Sequence, residues 1–429
     1  MNTDTTTPRE FQANWKGRFF TIWGGQALSL VGSALVQFAL VWWLTVETGS
    51  ATVLATASLV ALLPQIFLAP FAGALVDRWQ RRRVMIVADF SIALATLLLM
   101  ILFALGVAAV WHIYVLLFVR SLGGAFHHPA MTASTSLMVP KEHLTRVAGM
   151  NQTLQGVISM GAPPLGALLI ELWPTQYILA IDIVTALIAI LPLFFIAIPQ
   201  PLPQTAPGGG AEKPPSYWQD LAAGFRYVIR WPGLLGIILL AMMLNFLLSP
   251  ASALIPLVVT QVFQKGAMEL GWFETLFGAG IILAGVVLSA WGGFKRRIVT
   301  SFAGVIGIGL AIILMGVVPA NMFYLLLVAG FLQGVMIVFA NGPLHAIFQS
   351  AIAPEMQGRV FSLIGAGATA MMPVGLMIAG PVADWLGVQA WFIIGGSICI
   401  LTTLAAFFIP AIMNIEQNQA APTSDNPAG

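Results

Sequence analysis

The sequence predicts an all-α integral membrane protein: twelve transmembrane helices in two pseudo-symmetric six-helix bundles. Three observations predict it. Of the 429 residues, 59% are hydrophobic and only 8% charged, against about 25% charged in an ordinary soluble domain. So little charge cannot cover a surface in water, so lipid is the expected solvent. Apolar runs of about 20 residues, the length that spans a bilayer, recur twelve times. Finally, basic residues and prolines repeat at one offset between the two halves.

The apolar runs lie at 19–46, 51–76, 84–106, 112–138, 148–171, 177–198, 233–262, 271–293, 299–318, 322–350, 360–383 and 389–412. The first is too long for a signal-peptide core and no small-residue cleavage site follows it, so it reads as a retained span. Prolines 64, 129, 163, 250, 256, 343 and 373 fall inside runs and predict tilts or bends, since each removes a helix hydrogen bond. Connections of a few residues leave no room for a sizeable soluble domain.

The domain reading follows. Residues 1–198 form an N-terminal bundle with a short cytoplasmic N-terminus. Residues 199–232 form a cytoplasmic linker, opening with the proline- and glycine-rich stretch PQPLPQTAPGGGAEKPPS, which reads as flexible. In 216–230, Trp218, Leu221, Phe225 and Val228 share one helical face, away from Asp220, Arg226 and Arg230. Two readings stay open there: a helix lying on the inner membrane surface, or an extension of the seventh span. Residues 233–412 form the C-terminal bundle, and 413–429 a disordered cytoplasmic tail.

Charge placement supports the count. Sixteen of the 18 Lys and Arg residues fall on one side of the twelve-span map; Lys265 falls on the other and Arg120 within the fourth span. The positive-inside rule then puts both termini in the cytoplasm. A net charge of +2 gives no footprint for nucleic acid or an acidic partner, and the single cysteine, Cys399, excludes an intrachain disulfide.

Arg81, Arg82 and Arg83 match Lys295, Arg296 and Arg297 at a shift of 214 residues. Pro129 and Pro343, and Pro140 and Pro354, match at the same shift of 214, while Arg146 and Arg359 match at 213. Several matches at one offset argue for a duplicated six-helix unit. Internal duplication is a hallmark of secondary transporters, which place the substrate between the repeats.

The stretch GALVDRWQRRRVMIVADF, residues 73–90, concentrates charge between two apolar runs. Its start, Gly73 to Arg82, resembles the loop 2–3 signature of the major facilitator superfamily, with Gln80 where the signature has a second glycine. FVRSLGGA, residues 118–125 with Arg120, resembles the fourth-helix signature. GVISMGAPPLG loosely resembles the fifth-helix signature of the antiporters, with an extra Ala162 between Gly161 and Pro163. WGGQALSLVGSALVQFALVWWLT, the longer FVRSLGGAFHHPA, LMVPKEHLTRVAGMNQ and AIDIVTALIA are similar to the macrolide-efflux (Mef) group of drug:proton exporters, over nearly the whole first half and more thinly in the second. The resemblance implies twelve helices, alternating access and proton-driven export of amphiphilic drugs. It also implies a cytoplasmic latch of Gly73, Asp77, Arg78, Arg81 and Arg82. A glycine permits close helix approach, and an aspartate accepts charge-assisted bonds from arginine or a helix N-terminus. For the arginines, topology-setting alone stays open. Asp89, six residues after Arg83, is read as pairing with this latch.

Polar residues inside the spans fall into stripes at helical spacing. They are Gln26, Ser29, Ser33 and Gln37 in the first span, Asn151, Gln155 and Ser159 in the fifth, Asn245, Ser249 and Ser252 in the seventh, and Asn341, His345 and Gln349 in the tenth. They fit either a shared aqueous substrate cavity or helix–helix hydrogen bonding. Proton coupling needs a group that changes charge. Asp182, well inside the sixth span, is the first candidate: burial disfavours its charge and a nearby Arg120 would favour it. Glu274 in the eighth span is another, with simple solvation as its alternative. His127 and His128 either titrate or pack against backbone.

No HExxH, GxSxG or GxxxxGK[ST] motif occurs, so the usual metalloprotease, hydrolase and P-loop routes are absent. No carboxylate stands three or four residues beyond His127 and His128 to complete a metal site. The expectation is therefore a non-enzymatic exporter in a bacterial plasma membrane, multi-pass and monomeric. It uses the proton as coupling ion and no other cofactor, and its partners are an amphiphilic small molecule and the lipid bilayer. Siderophore export is the alternative, and an ATP-binding partner is left open.

Overall fold

The computed structural model describes residues 15–199, 217–352 and 354–416, without the side chains of 69–70, 73–74, 77–78, 217–223 and 354–355. Twelve long helices run through the described residues. They are α1 (Trp15–Thr48), α2 (Ala51–Arg78), α3 (Arg81–Ala104), α4 (Val110–Met138), α5 (Leu144–Leu172) and α6 (Thr175–Phe195), then α8 (Pro232–Leu257), α9 (Ala267–Trp291), α10 (Arg297–Val317), α11 (Phe323–Ala351), α12 (Pro354–Leu386) and α13 (Val388–Phe407). The shorter helix α7 (Tyr217–Arg230) and the single turn α14 (Pro410–Met413) complete the set.

Eleven of the twelve are long and apolar enough to cross a membrane. The twelfth, α4, is long enough but carries three histidines and Arg120. Rings such as Phe195, Trp385 and Phe408 are 84–85% exposed, tenable where the surroundings are hydrocarbon. The chain is a multi-pass membrane protein.

Helix ends differ from the apolar runs. The charged loop expected after residue 76 is mostly helix: α2 continues through Asp77 and Arg78, and α3 starts at Arg81. The apolar run marks the thickness of the hydrocarbon, whereas helix hydrogen bonds continue as long as nothing breaks them. The break between α12 and α13 comes at Gly387, whose φ of 89° only glycine adopts without strain. The seventh span ends in a π-helical turn, Val258–Val262, after Pro256. Residues 217–230 form a helix of their own, not an extension of that span, because Trp231 leaves the helical conformation before Pro232 starts α8. Val228 on α7 is buried and Phe225 exposed, and Gly224 lies against Leu363 and Arg359 of α12. Of the expected flexible stretch 199–216 and disordered tail 413–429, residues 200–216 and 417–429 lie outside the described residues. The start of the tail is ordered instead, because Ile415 is buried in the second core and Glu416 Oε1 accepts from Ile298 N at 2.7 Å.

The chain divides into two compact units: 1–49, 56–206 and 265–275 in one, 50–55, 207–264 and 276–429 in the other. In the first, α1 packs on α5 and α6, and α3 on α4 and α6. In the second, α8 packs on α12 and α13, and α10 on α11 and α13. These are the same four pairings, six spans later, so the duplication read from the arginines and prolines is also a duplication of packing. The first core gathers Phe19, Ile22, Met85, Met138 and Leu193; the second gathers Leu234, Ile298, Phe302, Ile347 and Val360.

Candidate functional site

The first unit encloses a charged pair. α6 is apolar along almost its whole length, yet Asp182 is 1% exposed in its middle. A lone carboxylate there would be costly, and its oxygens are accordingly occupied. Oδ1 accepts from Ser33 Oγ of α1 at 3.0 Å. Oδ2 accepts from Arg120 Nη1 of α4 at 2.6 Å and from Thr96 Oγ1 of α3 at 3.3 Å. The second guanidinium nitrogen of Arg120 donates to the Ser33 carbonyl at 3.2 Å. Gly32 makes this meeting possible, since a Cβ there would come within 3.2 Å of Asp182 Cα and collide with the Thr185 hydroxyl. Four helices thus converge on one carboxylate, and the expected Asp182–Arg120 pairing is present.

Asp89 departs from expectation. It does not pair with the arginines six and more residues before it. It is 7% exposed; its Oδ2 accepts from Gln26 Nε2 at 2.9 Å, and its Oδ1 lies 3.3 Å from His127 Nε2. The arginines instead brace helix ends of their own unit. Arg81 is buried and its Nη1 donates to the Ala133 carbonyl near the end of α4 at 3.0 Å; Arg82 donates to the Phe194 carbonyl at the end of α6. A cation at a helix C-terminus is favoured by the exposed carbonyls and the dipole. Gly73, Asp77 and Arg78 of the expected latch lie within α2 but outside the described side chains.

The polar stripes divide. In the first unit, Gln26 and Ser33 are spent on Asp89 and Asp182, Asn151 accepts from Trp23 Nε1 at 2.7 Å, Ser29 is half-buried, and Gln37 and Gln155 are exposed. In the second unit two stripes converge. Asn245, Ser249 and Ser252 of α8 and Asn341 of α11 line one cavity of about 420 Å³, together with Ser301 and Gln333. Its other walls are apolar, Phe302, Leu244, Ile337 and Met372 among them, so it offers a greasy surface with a few polar handles, the usual make-up of a small-molecule pocket. His345 is exposed and does not line it. Glu274 on α9 is half-buried and makes no hydrogen bond among the described residues.

Sequence reasoning missed Thr96, Gln333, Ser301 and the attachment of His127 to Asp89. A signal existed for two of them. Thr96 stands seven residues from Asp89, and Gln333 eight from Asn341, spacings that return to the same helix face.

The family model of the Major Facilitator Superfamily matches residues 22–264 and 238–426. The chain is 35% identical over 404 residues to macrolide efflux protein A of Streptococcus pyogenes, covering 94% of this chain and 98% of that one. It is 26% identical over 409 residues to the multidrug efflux pump Tap of Mycolicibacterium fortuitum, covering 90% and 94% of the two chains. Among solved structures, the nucleoside transporter NupG superposes with a TM-score of 0.66 at 12% identity, over 91% of this chain and 98% of that one, a likeness of fold.

Proposed function

The chain belongs to the Major Facilitator Superfamily, and on that premise we propose that it is a secondary active efflux transporter, exporting amphiphilic drugs of the macrolide class in exchange for protons by alternating access. The observation that carries the reading is a carboxylate sealed inside an apolar bundle, in a chain 35% identical along nearly its whole length to a macrolide efflux protein. A buried ionisable residue inside a membrane bundle marks an ion or proton pathway by default. Asp182 holds the proton, and Arg120 competes with it for the same oxygen. Drug arrival and departure change the water around the pair and so shift which of the two Asp182 holds. The termini and the arginine-rich connections face the cytosol of a bacterial cell.

Erythromycin accumulation in an efflux-deficient host tests this. Expression of the chain should lower accumulation, and a protonophore should restore it; accumulation unchanged by expression would remove macrolides as substrates. Asp182→Asn should abolish uphill extrusion while leaving drug binding measurable. Extrusion at the parental rate would remove Asp182 as the carrier.

The cavity of the second unit supplies drug contacts in this reading. Replacing Asn245 or Asn341 by leucine keeps the size of the side chain and removes a polar handle. Losing one hydrogen bond costs about 0.5–1.5 kcal/mol, so the KM for erythromycin export should rise about two- to tenfold with kcat little changed. An unchanged KM in both variants would place the drug elsewhere.

A further inference from the structure

We propose that Asp89, Gln26 and His127 form a second proton-binding station, two helical turns from the Asp182 site and toward the end of the bundle where α2 meets α3. The proposal rests on the proton-coupled reading above and adds a site to it.

The two clusters are built on one register. Gln26 and Ser33 stand seven residues apart on α1, Asp89 and Thr96 seven apart on α3, and Arg120 and His127 seven apart on α4. Seven residues are nearly two full turns, so each pair shares a face and its members lie about 10.5 Å apart along the axis. The order fits the chain direction: the station residue comes first on α1 and α3, which run one way, and second on α4, which runs back. Between the levels, Ile92 sits on Gly123, whose missing Cβ would lie 2.8 Å from the isoleucine Cδ1. The two carboxylates have no hydrogen-bond partner in common among the described residues.

The levels differ in their cation. Asp182 faces an arginine, which keeps its charge at every accessible pH. Asp89 faces a histidine, the residue type that changes charge near neutral pH. Asp89 Oδ2 is engaged by the Gln26 amide, while His127 Nε2 is buried, stands 3.3 Å from Oδ1, and makes no directed hydrogen bond among the described residues. A proton held on Nε2 against Oδ1 turns a buried net charge of −1 into a neutral pair; its release to the cytosolic side, the direction that antiport requires, reverses this. The surroundings add few other charges. α1 presents the neutral Gln26, and α4 presents Arg120 only at the upper level. α6 presents Asp182 at that same upper level, and Arg82 is turned to the end of α6. On α3 itself, Arg81 reaches α4 and Arg83 is exposed.

The test is proton release on erythromycin binding to purified full-length protein in weakly buffered detergent, beside erythromycin export by cells with and without protonophore. Asp89→Asn and His127→Gln are each expected to bind erythromycin, yet release about one proton fewer per drug than the parent. Their affinity should lose up to about a tenfold change per pH unit across the neutral range, the linkage of one displaced proton. Both substitutions keep side-chain size, and retained drug binding certifies the fold. A packing role alone would lower the melting temperature with proton release unchanged, and that result in both variants would overturn the station while leaving the protonophore-sensitive antiport reading in place. A parent that releases no proton and exports regardless of protonophore would bring down the antiport reading, and the station with it.

Discussion

Arg120→Met is expected to cost about 3–5 kcal/mol of stability, the penalty for removing one member of a buried ion pair, and to abolish export. The methionine replaces the aliphatic stem but leaves Asp182, 2% exposed at its side chain, with only the hydroxyls of Ser33 and Thr96 as described donors. The cost is that of a stranded charge, not of a lost attraction, and a double substitution separates the two. In Arg120→Met with Asp182→Leu, no charge is left to strand. Replacing both members of such a pair with apolar residues is often close to neutral. The double variant should therefore regain most of the melting temperature lost by Arg120→Met and still export nothing, because the proton carrier is gone. Thermal unfolding in detergent reads the first effect and erythromycin accumulation the second. A single variant that melts within about 1 kcal/mol of the parent, the range of an exposed ion pair, would mean that water reaches Asp182 and that the pair is not sealed.

The Asp182–Arg120 pair was legible in the sequence because a membrane makes unpaired charge expensive. Two opposite charges in two spans of one bundle have few other partners to find. Asp89 shows the opposite limit: Arg83 is near it in sequence, but nearness in sequence is not contact. On a helix, residues three or four apart face each other, whereas six residues turn the side chain about 240° away, so the carboxylate looks across to α1 and α4 instead. The stripes show a related limit. A spacing of three and four residues says that Gln26 and Ser33 share a face, as do Asn245 and Ser249, but not what that face meets. For the first pair it meets buried aspartates, and for the second a cavity. The twelve spans were legible because hydropathy measures the hydrocarbon slab directly. Their ends were not, because α2 keeps its backbone bonds beyond the slab, through Asp77 and Arg78.

Gly304→Ala is expected to destabilise the second unit by about 1–3 kcal/mol, the cost of forcing a methyl into a filled contact. The added carbon would stand 2.7 Å from the Phe339 carbonyl carbon and 2.9 Å from Ala340 Cα, and closer still to the Ala340 nitrogen. All of these are backbone, so no side chain can swing aside and the helices must part. The seam between α10 and α11 also walls the cavity, with Ser301 and Phe302 on one side and Gln333 and Asn341 on the other; separation should therefore weaken erythromycin binding as well as lower the melting temperature. Gly285→Ala on α9 is the control, because nothing lies within 4 Å of its missing Cβ, and alanine there should be neutral or slightly stabilising through helix propensity. The two halves solve this seam differently. Counting back 214 residues from Gly304 reaches Phe90, which is exposed, while the matching pair α3 and α4 closes over Gly123 instead. Duplication kept the helix pairing and moved the glycine that permits it. If Gly304→Ala melts with Gly285→Ala and binds drug as the parent does, the α10–α11 seam has slack, and the cavity it borders is not held to a fixed shape by that contact.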